Sequence, residues 1–318
     1  MSVVVVGSAN LDLVYRVERI PSPGETVLAV GSDSAPGGKG NNQVIAAARA
    51  GARATFVAAL GRDAAAERLI ASLEDAGVDL RIRRVDEPTG TAIITVDDSA
   101  ENAIVVDSGA NRMLDGLDDS EREVVATADV LLLQLETPLA TVTEAAAVAH
   151  ASATTVVLNA APIQSLSAAF LADVDVLVVN EHEAAHLAAE LTGEAVHEAS
   201  GEDLAAILSR LGLAVIVTLG ADGAVVRVPD EPPAHVAGRV VDAVDTTGAG
   251  DTFCGALVAE LDRRRSTNGS TGSARPDLGT LVRSAEFATI AAAISVQRAG
   301  AVPSIPTLEE IHDFHSAS

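Results

Sequence analysis

The sequence predicts an α/β protein: a mostly parallel central sheet covered by helices on both faces, with a small antiparallel sheet projecting from it. Three observations predict this. Short Val-rich runs recur between longer Ala-rich segments. The runs are continuously apolar, as strands buried on both faces must be. Two other stretches alternate apolar and polar residues, the period of half-exposed strands.

The elements follow in order. "VVVV" (3–6) is a first buried strand, and "LDLVYRVERIPSPGETVLAV" (11–30) alternates and reads as half-exposed strands. A helix over 41–50 follows "GGKG", then a strand "ATFVAAL" (54–60) and a helix over 64–76. "GTAIITVD" (90–97) and "NAIVV" (102–106) alternate again, which makes them partners of 11–30 in the projecting sheet. Buried strands then recur at "VLLLQ" (130–134), "TTVVLN" (154–159), "VDVLVVN" (174–180) and "AVIVTLG" (214–220). Helices over 138–150, 181–191 and 202–211 alternate with them, the βα rhythm of a parallel sheet. "DTTGAGDTFCGAL" (245–257) is a Gly-rich turn leading into a helix, and "RRRSTNGSTGSARPD" (263–277) reads as a polar loop. With no internal repeat and no linker, the expectation is one domain over 1–318, carrying lid strands at about 11–33 and 90–107.

Composition narrows the function. The 318 residues are 48% hydrophobic and carry a formal charge of −24, which opposes binding to nucleic acid phosphates or anionic membranes. Of the 21 Lys and Arg residues only Lys39 is lysine. Acid excess with so little lysine suits a salt-rich cytoplasm, where screening removes self-repulsion. The single cysteine, Cys254, excludes an intrachain disulfide framework. The N-terminus lacks a basic region and reads as a strand, not a signal peptide, so a cytoplasmic protein is expected.

Three motifs could carry chemistry. In "DTTGAGD" the glycines let backbone N–H groups turn toward an anion at a helix N-terminus. Asp251 beside them is either a favourable first-turn carboxylate or a general base next to an anion hole. "GGKGNN" (37–42) is not a Walker loop: position 33 is Asp and position 40 is Gly where that loop needs Gly and Ser or Thr. A helix-capping glycine turn explains its glycines but not Lys39, Asn41 and Asn42 together. "HEAAH" (182–186) matches the H-E-x-x-H zinc pattern with Glu190 as a third ligand, but in an Ala-rich segment a chance match is the better reading.

Taken together, "GSANLDLVYRVERIPSPGET", "GGKGNNQ", "ENAIVVDSGAN", "QLETPL", "LNAAP", "NEHEA", "VTLGADGAVV", "VDTTGAGDTFCGAL" and "QRAGAVPSIP" resemble, in order and over essentially the whole chain, the ribokinases of the PfkB carbohydrate kinase family. The resemblance implies a ribokinase-like three-layer α/β/α sandwich with a small antiparallel β-lid. It implies phosphoryl transfer from ATP to the O5 hydroxyl of D-ribose, with another sugar or a nucleoside as the alternative acceptor. A non-catalytic sugar-binding regulator is disfavoured because Asp251 and its Gly-rich turn are intact.

The resemblance also assigns residues. Asp251 would be the base, with the N–H groups of Gly248, Ala249 and Gly250 stabilising the transferred phosphoryl group. Asn10, Asp12, Gly38, Lys39, Asn42 and Glu136 would hold the sugar. Asn180 and Glu183 would organise Mg²⁺ and phosphate oxygens, while Thr218, Gly220, Gly223, Gly250 and Thr289 would line the nucleotide side. Asp245, Thr247, Ser295, Arg298, Gly300 and Ser304 would surround K⁺, and the lid would pair two copies into a homodimer. Three features depart from the pattern: Asn41 in place of a small residue, Thr289 in place of Asn or His, and a longer 263–277 segment.

Overall fold

The computed structural model describes residues 2–97, 99, 101–193, 196, 199–267 and 275–317. Its strands are β1 (Val3–Val6), β2 (Asn10–Arg16), β3 (Gly31–Gly37), β4 (Ala54–Leu60), β5 (Asp79–Arg84), β6 (Gly90–Val96), β7 (Asn102–Asp107), β8 (Val130–Leu133), β9 (Thr155–Asn159), β10 (Val176–Asn180), β11 (Ala214–Thr218), β12 (Gly223–Arg227) and β13 (Ala234–Ala237). Its helices are α1 (Lys39–Arg49), α2 (Ala64–Asp75), α3 (Asp119–Ala126), α4 (Leu139–Ala151), α5 (Ala168–Leu171), α6 (Glu181–Thr192), α7 (Gly201–Leu208), α8 (Ala249–Thr267), α9 (Leu278–Ser295), α10 (Ala301–Ser304) and α11 (Leu308–Ala317).

Nine strands form one sheet in the order β13-β12-β11-β10-β9-β8-β1-β4-β5. Pairing is parallel from β5 through β11; β12 and β13 return antiparallel at one edge. Period 2 decides the layers. Val3 and Val5 enter one core, with residues of α1, α8 and α9, while Val4 and Val6 enter the other, with residues of α4, α6 and α7. Both faces are covered, so every residue of "VVVV" is buried, each such side chain contributing about 1.5–3 kcal/mol relative to exposure. The result is a three-layer α/β/α sandwich.

The second sheet has the order β3-β2-β6-β7. It differs from expectation in two ways. It is mixed, because β2 and β6 run parallel while the outer pairs are antiparallel. Its second strand is also 31–37 and not part of 11–30. Pro21 and Pro23 cannot donate to a ladder, so 17–30 forms no strand, and β3, "GSDSAPG", is specified by its register with β2, from Asn10↔Gly37 to Arg16↔Gly31. The first lid insertion therefore reaches Gly37.

The segment 263–277 is also less loop-like than expected. Helix α8 continues to Thr267 because Glu260 pairs with Arg263 and Arg264 one turn on, and Arg265 donates to the carbonyls of Asp129 and Ala153. Arg275 pairs with Asp175, and Asp277 caps α9; residues 268–274 lie outside the described residues. No helix among the described residues is long and apolar enough to cross a membrane.

Candidate active site

The C-terminal ends of the parallel strands converge with the first turns of α1, α6 and α8. A cleft of about 160 Å³ opens there, lined by Lys39, Asn159, Asn180, Glu183, Thr218, Thr246, Gly248, Ala249, Gly250, Asp251 and Cys254, among others. In α/β sheets this end of the strands is where ligands bind.

Asp251 sits at the buried end of the cleft. Its Oδ2 accepts from Asn42 Nδ2 at 2.9 Å and its Oδ1 from Gln43 Nε2 at 2.9 Å. Burial pushes this carboxyl above its ordinary range; Lys39 and the two amides oppose the rise and Glu136 adds to it. Gly248, at φ +74, makes the turn that only glycine adopts readily. Gly250 differs: its φ is not positive and a Cβ there would meet nothing within 4 Å, so the bare backbone leaves open space in the cleft wall. The Ala249 N–H is turned onto Thr246 O at 3.2 Å, while Gly248 and Gly250 N–H have no protein acceptor among the described residues.

Lys39 opens α1. Burial alone would lower its pKa, but Asp251, Glu136 and Glu183 reverse the direction and hold it above the ordinary value, so it is a cation. Glycines set its position. A Cβ on Gly38, at φ +88, would lie 2.8 Å from Asn10 N, and one on Gly37 would lie 2.1 Å from Asp12 Oδ2. The close approach Gly38 permits is therefore helix α1 against the β1–β2 chain, which gathers Lys39, Asn10 and Asp12.

The remaining sugar-side candidates are held around this point. Glu136 Oε2 accepts from Ser8 Oγ at 2.6 Å and from Lys39 N at 3.0 Å. Asn10 Oδ1 accepts from Asn111 Nδ2 at 2.7 Å, and Asn111 Oδ1 in turn accepts from Ala9 N. Asp12 is pushed to about 7 by burial first, then by the charges of Glu136 and Asp251. Asn41, the departure in "GGKGNN", is fully buried; its Nδ2 donates to Asn42 Oδ1 at 3.3 Å, so it acts on Asn42 and not on the cleft.

Across the cleft, Asn180 caps α6. Its Oδ1 accepts from Glu183 N at 2.8 Å while Glu183 Oε2 accepts from Asn180 N at 2.9 Å. This capping box accounts for the N-x-x-E spacing structurally, and it leaves Glu183 Oε1 for other partners. One carboxylate shared with phosphate oxygens is the donor set Mg²⁺ takes, so Glu183 fits that ion. Thr218 lines the cleft at the end of β11. Gly220, Gly223 and Thr289 lie outside its lining; Gly223 is required by packing, since its Cβ would lie 2.0 Å from Val236 O. Thr289 is buried with Oγ1 unpartnered.

The segments around 245 and 300 are stitched together. Val244 N and Asp245 N donate to Val296 O, and Asp245 accepts from Thr247 N at 2.9 Å and Gly300 N at 2.8 Å. Burial raises the Asp245 pKa, but these bonds outweigh it and hold the carboxyl below its ordinary value. Ser295 and Ser304 are buried nearby in sequence, each donating to a carbonyl and keeping oxygen lone pairs. Arg298 spends its guanidinium on Glu310, so only its carbonyl suits a cation. Carbonyl and hydroxyl oxygens fit a hard monovalent ion. In "HEAAH", His186 lies 3.6 Å from Glu190, and no group of three His, Cys, Asp or Glu able to hold a metal ion occurs among the described residues.

Sequence reasoning missed Gln43, Gln134 and Asn159. Gln134 and Asn159 follow apolar runs at the C-terminal ends of β8 and β9, and a polar residue at that end of a buried parallel strand was the available signal.

The sandwich, the lid and a cleft that sets a buried carboxylate beside a glycine turn at a helix N-terminus define a phosphotransferase of the α/β class. The pfkB family carbohydrate kinase model matches residues 1–308, and the chain belongs to that family. It is similar to the ribokinase of Haemophilus influenzae, 39% identical over 315 residues that cover 98% of this chain and 97% of the relative. The crystal structure of ribokinase from Thermotoga maritima matches with a TM-score of 0.86 at 34% identity, covering 99% of each chain. That of Arabidopsis thaliana ribokinase complexed with ribose and ATP matches with a TM-score of 0.85 at 30% identity, covering 98% of this chain and 97% of that one.

Proposed function

We propose that this carbohydrate kinase transfers the γ-phosphoryl group of ATP to the O5 hydroxyl of D-ribose, giving D-ribose 5-phosphate and ADP. The observation that carries the reading is the placement of Asp251. Its carboxylate joins the sugar-side cluster of Asp12, Lys39, Asn42 and Glu136 to the cleft bounded by Gly248, Gly250, Asn180, Glu183 and Thr218. Sugar hydroxyls need both donors and acceptors, and this cluster supplies a cation, amides and carboxylates. Asp251 takes the hydroxyl proton as the oxygen bonds to phosphorus, and the N–H groups of Gly248 and Gly250 meet the phosphoryl oxygens. Glu183 would hold Mg²⁺ beside the phosphates, where the ion would neutralise their charge. Asp245 and Thr247, with Ser295, Arg298, Gly300 and Ser304, would hold K⁺, and Gly220, Gly223 and Thr289 would back the nucleotide.

The reading extends to one domain over 1–318, a salt-rich cytoplasm and a homodimer through the lid, whose strands expose Ile93, Ile104, Val105 and Val106. A monomer in sedimentation would remove the dimer. Turnover on ribose, deoxyribose, fructose, ketodeoxygluconate and nucleosides tests the substrate. The expected result is the highest kcat/KM on ribose, and a higher value on any other acceptor overturns the assignment.

A further inference from the structure

The base proposed above is wired into a chain of carboxamides that no part of that reading uses. Gln43, on α1, donates through Nε2 to Asp251 Oδ1 at 2.9 Å and to Asn159 Oδ1 at 3.0 Å. Its Oε1 accepts from Gln134 Nε2 at 2.7 Å. Asn159 Nδ2 faces the backbone carbonyl of Val178 at 3.4 Å. Gln43 and Gln134 are fully buried, and Asn159 nearly so.

An amide side chain can present either its oxygen or its NH₂ to a neighbour, and only one choice suits a carboxylate. Here the choice is forced from the backbone outward. The Val178 carbonyl accepts only, so Asn159 turns Nδ2 toward it and Oδ1 toward Gln43. Gln43 then faces two acceptors, Asn159 Oδ1 and Asp251 Oδ1, and must give both its Nε2 protons. Its Oε1 is left pointing at Gln134, which donates. Gln134 closes the chain at a cost, since its own Oε1 is buried without a partner. A flip of Gln43 would set oxygen against two oxygens and NH₂ against NH₂.

We infer that Asn159, Gln43 and Gln134 are positioning residues that hold Asp251 as an oriented anion, by locking one amide donor onto Oδ1 while Asn42 occupies Oδ2. The inference rests on Asp251 being the base. A base must be ionised to accept a proton, and this one is buried. The charged or titratable groups around it come from several elements: Lys39 on α1, Glu136 after β8, Asp12 on β2, Glu183 on α6 and Cys254 on α8 itself. Lys39 alone favours the anion, and Asp12 and Glu136 oppose it. Two fixed N–H donors are what remains to hold the charge.

The test is the single-turnover rate of phosphoryl transfer to ribose against pH, for the parent, Gln43→Met, Gln134→Met and Asp251→Asn. Loss of a donor raises the pKa of the base, so the acid limb of the rate profile moves to higher pH. The expected shift for Gln43→Met is about one to two pH units, equivalent to one hydrogen bond to a charged group. Gln134→Met shifts it the same way by less, and the ribose KM stays near the parent value in both. Folded variants with the parent's acid limb overturn the inference; if Gln43→Met does not fold, Gln134→Met decides it alone. Retained turnover in Asp251→Asn overturns the base assignment instead, whatever the amide variants do.

Discussion

Asp12→Asn should stabilise the free protein at alkaline pH while weakening its hold on sugar. Asp12 is moved from its ordinary 3.8 to about 7 by burial and by the neighbouring charges of Glu136 and Asp251. Between those two values the folded protein keeps a proton that the unfolded chain has released. Stability is therefore lost as pH rises through this window, and the full cost is present above pH 7. A shift of this size corresponds to at most about 4 kcal/mol, at about 1.4 kcal/mol per pH unit. Asp12 keeps some solvent contact, which screens the two carboxylates, so about 2 kcal/mol is the working figure. Asn has the same shape and no charge to desolvate. The assay is thermal unfolding of both proteins without ligand at pH 4, 6 and 8. At pH 8 the variant should melt about 3 °C higher, the gap narrowing at pH 6 and closing at pH 4. The ribose KM should rise if Asp12 holds the sugar as proposed, because a carboxylate can accept through both oxygens and an amide through one. A melting difference independent of pH would refute the electrostatic origin of the strain.

Other outcomes follow from the same geometry. Lys39→Arg should raise the sugar KM far more than the ATP KM, because a planar guanidinium cannot enter the space of a compact ammonium among three carboxylates; equal small effects on both would make Lys39 a structural remnant. Gly250→Ala should leave the melting temperature nearly unchanged yet lower kcat by about 10²-fold or more, since its Cβ meets open space and Gly250 lines the cleft where the phosphoryl group is proposed to bind; an unchanged kcat would remove Gly250 from the anion site. Equimolar KCl and NaCl should give similar melting temperatures but higher activity in KCl, with ion order in the 245–247 and 295–304 segments as the cause; equal activity across concentrations would leave only charge screening.

Elements whose burial is symmetric were legible from sequence. The run "VVVV" and the strands over 54–60 and 130–134 read correctly because both faces of the sheet are covered, so no alternation survives to confuse them. Strand β3 was not legible, since five of its seven residues are Gly, Ser or Pro and its register comes from β2. The parallel pairing of β2 with β6 was equally hidden, because period 2 states which face a residue takes and says nothing of strand direction. The same division runs through the site. Asp251 and its glycine turn sit within a few consecutive residues and could be read. The contacts that hold Asp251 join residues 209 and 208 positions apart, and nothing local in "NNQ" announces them.

The solitary lysine belongs to both sides of that division. Its isolation was visible in composition, but the reason lies in non-local contacts. On an exposed surface Lys and Arg contribute similarly, within about 1 kcal/mol per ion pair, so exchange there meets little resistance. The surface pairs of this protein are accordingly made by arginine, as in Arg53–Asp79, Arg62–Asp86 and Arg122–Glu144. Lys39 is half-buried, faces Asp251, Glu136 and Glu183, and stands between glycines whose missing side chains let the β1–β2 chain close in. A cation is needed there to offset clustered carboxylates, and a compact ammonium with three rotatable donors meets them from several directions where a planar guanidinium presents a fixed fork. A drift that replaced lysine wherever the two cations are equivalent would stop at the one position where they are not, and that position is in the wall of the cleft.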